Sequence, residues 1–167
     1  MLWGGGRTVA YASQQVYSRD YDAVSMQQLI YVRDEKTGAL TSTFRGAAND
    51  TVSLPIPAIG GGAAYVLSAR TLHRMDPTLQ NIAWSFSGDG TLSSAPLIVG
   101  SAVLIGAISG RLYALDIATG VQIWSAQLSA EFRSDVYSSP VTGMAVANGF
   151  LVVPAGNTLT AWRLTSP

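Results

Sequence analysis

RLYALDIATGVQIW, running from Arg111 to Trp124, decides how this chain is read. An apolar run ends in Asp116, a Thr119-Gly120 turn follows, and a second run carries Trp124. Runs of roughly four to eight residues between such turns are strands, being too short for helices. The pattern is also present 40 residues earlier in RTLHRMDPTLQNIAW, Arg70 to Trp84, which sets Asp76 against Asp116 and Trp84 against Trp124. LIYVRDEKTGALTSTF, Leu29 to Phe44, is an earlier copy, with Asp34 and Gly38 in place and Ser42 where the tryptophan would stand. In the other half of the unit, PAIGGGAAYVLSA (Pro57 to Ala69) matches PLIVGSAVLIGAI (Pro96 to Ile108), and LWGGGRTVAYAS (Leu2 to Ser13) is a truncated copy of the same half. PVTGMAVANGFLVVPAGNTLTAWRL, Pro140 to Leu164, is a fourth copy that puts Arg163 at the Asp116 position.

Each unit holds four short apolar runs, A to D, which in the best copy are Ala95 to Val99, Ala102 to Ala107, Arg111 to Asp116 and Val121 to Leu128. Four-stranded antiparallel units recurring at about 40 residues are the signature of β-propeller blades. The expected fold is therefore all-β, one module over residues 1–167 with about four blades at 2–46, 54–87, 95–128 and 138–164. The first and last are expected to be incomplete, because only Leu2 and Trp3 precede the first GGG turn and the last unit stops after strand C. Charged residues make up 12% of the 167, about half the usual fraction, as expected where sheets are covered on both faces.

Ten Lys+Arg balance ten Asp+Glu, so no net field draws in nucleic acid or an anionic membrane. The chain has no cysteine, which excludes thiolate metal sites, thiol nucleophiles and disulfides. The most apolar stretch, Ala95 to Ile108, is too short for a membrane span and is broken by Gly100 and Ser101. MLWGGGR shows no basic and apolar succession of a secretory signal.

The spacing of Ala114, Asp116, Thr119, Gly120 and Trp124 resembles the tryptophan-docking motif of PQQ-like, or quinoprotein-type, propeller repeats. Physically, Asp116 can accept turn amides, Gly120 takes a conformation other residues resist, and Trp124 is a flat group able to stack between sheets. The motif marks a fold and has no chemistry of its own. The resemblance implies rings of usually eight blades, an extracytoplasmic home, and a non-catalytic scaffold for protein–protein interaction, similar in role to an assembly-factor lipoprotein of the bacterial outer-membrane machinery or to repeat domains of extracellular and sensor proteins. It also leaves open a fragment of a PQQ- and calcium-dependent dehydrogenase, or a glycan- or ligand-binding propeller. Many of those dehydrogenases hold their quinone against a vicinal disulfide, which this chain cannot form. No cofactor is therefore expected, and no enzyme activity. An open blade stack exposes terminal sheet faces and edges, so either the chain is part of a longer propeller protein or two copies complete a ring as a homodimer.

Tight A–B and C–D turns are expected at one end of the blades and longer B–C and D–A connections at the other. The long ones are Gln14 to Met26, Gly46 to Val52, Gly88 to Ser94 and Ser129 to Ser138. Binding residues on rigid scaffolds concentrate in such loops. The candidate interaction face is thus Tyr17, Arg19, Asp20, Tyr21 and Asp22 with Asn49, Asp50, Asp89, Glu131, Arg133, Asp135 and Tyr137, a mixture suited to protein recognition. The plainer alternative is a set of solvated covering loops. Asp20 and Asp22 lack the glycine and later carboxylate of a calcium loop, and His73, the only histidine, cannot make a zinc site by itself. Nothing pairs Glu131 with Asp135 for acid–base work, no serine sits in a G-x-S-x-G elbow, and Gly60 to Gly62 joins two strands with no helix to cradle a phosphate.

Overall fold

A computed structural model describes residues 9–48, 55–132 and 143–164. These form fifteen strands and no helix. The first sheet is β1 (Val9–Ala12), β2 (Gln15–Asp22), β3 (Gln27–Asp34) and β4 (Leu40–Arg45). The second is β5 (Ala58–Gly60), β6 (Ala63–Ser68), β7 (Thr71–Met75) and β8 (Ile82–Phe86). β9 (Leu97–Val99), β10 (Ala102–Gly106), β11 (Arg111–Asp116) and β12 (Gln122–Gln127) make the third. β13 (Ala145–Ala147), β14 (Phe150–Ala155) and β15 (Thr158–Arg163) make a three-stranded fourth. Every sheet is an antiparallel meander in chain order, which is the blade topology that the repeat predicts.

The structure corrects the first unit, which has all four strands. Gln14 to Met26 is not a connection. Gln15–Asp22 is strand B, and Val9–Ala12, read above as part of B, is strand A. Leu2 and Trp3 lie outside the described residues. The charges of SRDYD suggest a loop, yet the strand tolerates them because alternate side chains differ in surroundings. Tyr17 is fully buried, Arg19 and Asp20 are half-buried, and only Tyr21 is exposed.

The core lies between the sheets and not within a single layer. Tyr17, Ile30 and Val32 of the first blade pack with Ala64, Val66 and Met75 of the second. Tyr65, Leu67 and Leu72 continue onto Val103, Ile105 and Tyr113 of the third. Leu104, Leu112 and Ala114 meet Leu151, Val153 and Ala155 of the fourth. Internal sheets are thus covered on both faces, which accounts for the scarcity of charge. Among the described residues no helix is long and apolar enough to cross a membrane.

Phe132 closes the third junction from the connection that follows β12. It is fully buried, and a Cβ added at Gly106 of β10 would stand 2.7 Å from its ring. Phe132→Ala should destabilise the fold by about 3–5 kcal/mol, the usual range for an emptied aromatic site, read as a lower midpoint of urea unfolding with an unchanged slope.

Candidate functional site

The two ends of the blade stack differ in construction. At the A–B/C–D end, each of the three complete blades folds its C–D turn around an aspartate. Asp116 Oδ1 accepts the Ala118 and Thr119 amides and the Thr119 hydroxyl, and its carbonyl accepts Gly120 N at 2.9 Å. Asp34 binds Lys36, Thr37 and Gly38 in the same way. Asp76 holds Thr78, Gln80 and Asn81.

These turns receive the preceding blade. Trp84 lies against the Asp116 turn, with its Nε1 donating to the Ile117 carbonyl at 3.2 Å, and a Cβ at Gly120 would stand 2.7 Å from the indole. Gly120 has φ +74°, so the position selects glycine twice over, by backbone conformation and by ring contact. Tyr65 on β6 directs its hydroxyl to the same carbonyl at 3.4 Å, and its ring lies 5.9 Å from that of Trp84. One junction earlier, Ser42 donates to the Thr78 carbonyl and the Tyr17 hydroxyl lies 2.9 Å from that of Pro77. Tyr17 and Tyr65 occupy the same register, two residues after the start of strand B. Tryptophan and glycine are both absent at that junction, and buried Leu79, with φ +60°, packs there instead. A small residue on one blade is thus matched by a large one on the next. Trp124 meets the edge of Trp162, at 6.2 Å, and remains part-exposed.

The B–C/D–A end is where sequence places the interaction face, and its residues separate there. Tyr17 is corrected to a junction residue: its hydroxyl points to the opposite end, and burial raises its pKa. Arg19 is also on β2 and not in a loop. Burial lowers the pKa of its guanidinium, whose Nε is buried without a hydrogen-bond partner. Asp20, likewise on the strand, accepts the Tyr21 amide. Tyr21 and Asp22 close β2 beside its turn, so only these two of the five stand at the end face. Asp22 accepts Val24 N and Ser25 N and Oγ, and pairs with Arg45 at 3.7 Å. The Ser25 hydroxyl bond is the leading cause of its lowered pKa. Asp89 ties the connection between the second and third blades to the next B–C turn through Thr91 and Ser109. The Glu131 carbonyl accepts Gly156 N at 3.1 Å. Asn49, Asp50, Arg133, Asp135 and Tyr137 lie outside the described residues.

Sequence reasoning missed Val24 and Met26. Val24 is 96% exposed, and with Met26 and Tyr21 it forms an apolar tip on the first B–C turn. The signal was present in DAVSM, an apolar pair inside a polar turn. His73 is a strand residue with Nδ1 2.8 Å from Ser85 Oγ, and burial lowers its pKa, keeping it neutral at pH 7.

With this geometry in hand, residues 2–165 match the family described as outer membrane protein assembly factor BamB, PQQ_2. The chain belongs to this family. No curated protein matches its sequence. Among solved structures it is similar to BamB from Moraxella catarrhalis, at 18% identity and a TM-score of 0.66, covering 91% of this chain and 44% of that one. The computationally designed Ika4 protein is matched at 19% identity and a TM-score of 0.67, over 99% of this chain and 96% of its own. A europium-containing methanol dehydrogenase matches at 18% identity and a TM-score of 0.54, over 75% of this chain and 27% of that one. At these identities the likeness is one of fold. The chain thus spans under half the length of that BamB. The chain has no cysteine, and among the described residues no group of three His, Asp or Glu side chains that could hold a metal ion is present.

Asp76 generates a prediction. Its hydrogen bond from the Thr78 hydroxyl, with those from Asn81 and the turn amides, lowers its pKa from 3.8 to about 2. The folded state therefore binds this proton less readily than the unfolded chain does. The stabilisation is complete above the unfolded value and is lost as pH falls from about 4 through about 2. Asp34 and Asp116 shift in the same direction, led by the Thr37 and Thr119 hydroxyl bonds. Thermal unfolding followed from pH 6 to pH 2 should show Tm falling in that window, and Asp76→Asn should flatten the fall while lowering Tm at pH 6.

Proposed function

We propose that this chain is a non-catalytic, extracytoplasmic scaffold that recognises a protein partner with the B–C/D–A end of its blades. The observation that carries the reading is the apolar tip of Tyr21, Val24 and Met26 beside the Asp22–Arg45 pair, on a turn fixed by hydrogen bonds to Asp22. Exposed aromatic and thioether groups edged by charge suit protein recognition, and a rigid turn lowers the entropy cost of using them. Membership of a family described as an outer membrane protein assembly factor supports the same role, because assembly requires contact with other proteins. Tyr21, Asp22 and Glu131 belong to this face together with Val24 and Met26. The opposite end binds its own blades.

The test is site-specific photocrosslinking in cells of the source organism, with the reactive residue at Val24 or, as control, at Thr119 on the opposite end. Adducts of defined mass at Val24, abolished by Tyr21→Ala with Met26→Ala, are expected. Equal labelling at both ends would overturn the assignment. Reconstitution with PQQ and calcium distinguishes the enzymatic alternative, since a quinone absorbance retained after desalting would contradict a non-catalytic role.

A further inference from the structure

One charged side chain stands in a blade junction with nothing on the protein to balance it. Arg19 lies on β2 two residues beyond Tyr17, and its cross-strand neighbours Ile30 and Phe44 share the face that is turned to the second blade. The equivalent place on the second blade, two residues after Tyr65, is Leu67, fully buried against the third. An apolar residue would serve the packing, yet here the chain has a guanidinium whose Nε is buried without a hydrogen-bond partner. Asp20 and Asp22 alternate onto the opposite face of the strand, where Asp22 is engaged by Arg45. The same end of this junction has a second such group. Ser68, the last residue of β6, lies against the chain leaving the first blade and accepts Ala47 N at 3.4 Å. Arg70, two residues further on in the second blade's B–C turn, has Nη1 buried without a partner. Among the described residues neither guanidinium has a carboxylate within ion-pair distance.

We propose that Arg19 binds the carboxylate of a small carboxylic acid at the B–C/D–A end of the junction between the first and second blades, with Arg70 adding a second positive charge there. A buried cation is tolerated when it is paired, so a guanidinium with an unmet buried donor calls for an acceptor from outside the fold. Its planar fork matches the two oxygens of a carboxylate. The surroundings select an acid with a hydrocarbon body. Phe44, part-buried, shares the face of Arg19, and Tyr21, two residues further along the same face, is 45% exposed toward the end of the blade. These rings can cover apolar groups of the ligand, which inorganic phosphate does not have. Arg19 as a residue is half-buried, so solvent and solutes reach part of it. This site is separate from the recognition of a protein partner and does not depend on it.

The test follows the thermal midpoint of the intact chain while sodium chloride is replaced, at fixed ionic strength, by sodium acetate, butyrate, phenylacetate or phosphate. A ligand bound to the folded state alone raises the midpoint by mass action. The carboxylates should therefore raise it in a saturable way. Butyrate should act at lower concentration than acetate, by about fourfold for each methylene that is buried. Arg19→Leu should keep the β spectrum, since Leu67 fills the same place in the second blade, and should lose the rise. Arg70→Gln should raise the concentration of phenylacetate needed for half the effect. The comparison of acetate with butyrate on the native chain decides independently of either variant. A midpoint that ignores the change of anion, a rise that persists in Arg19→Leu, equal potency of acetate and butyrate, or phosphate acting at lower concentration than phenylacetate would each overturn the proposal.

Discussion

Everything in this architecture depends on face-to-face contact between sheets whose strand edges are too short to hold them together. Burial of Tyr65, Val103 and their neighbours supplies the attraction, but apolar burial is non-directional and leaves sheets free to slide. The docking turns remove that freedom. A carboxylate fixes the turn, the turn presents a carbonyl, and one or two donors of the preceding blade meet it. Trp84 adds a ring that fits only against glycine. The docking turns thus specify register between blades by polar contacts at the A–B/C–D end, while apolar contacts in the middle supply the affinity between them.

This division leaves the two ends different in construction. Residues at the A–B/C–D end are occupied with one another, and aspartates there are consumed by turn amides. The B–C/D–A end has ties of its own, from Ser109 to Asp89 and from Gly156 to the Glu131 carbonyl, and its connections vary in length and composition. Asp22 and Asp89 brace their turns, while Tyr21, Val24 and Met26 are exposed.

The repeat was legible because the Asp116 turn needs particular residue types at fixed spacing, so three copies advertise themselves. The first blade was harder. Arg19, Asp20 and Asp22 give β2 the composition of a loop, and only burial of Tyr17 against the second blade makes sense of the strand. Composition reports average surroundings, whereas the two faces of this strand have different ones. For the same reason Tyr17 has the sequence context of a binding residue, whereas it and Tyr65 are both donors at blade junctions. Val24 and Met26 are apolar, so a sequence signal built on polar loop positions does not include them. The exchange of Trp84 and Gly120 for Ser42 and Leu79 becomes visible only when blades are known to be neighbours.

A double-mutant cycle at Trp84 and Gly120 measures how far the indole and the docking turn depend on each other. Gly120→Ala in the native chain introduces a methyl group against the indole and also strains a residue at φ +74°, whereas in a Trp84→Ala background only the strain remains. Gly120→Ala should cost less in that background, with a coupling of about 1–2 kcal/mol, within the range for residues in contact. Additive effects would contradict it, because the indole and the turn would then stabilise the stack independently.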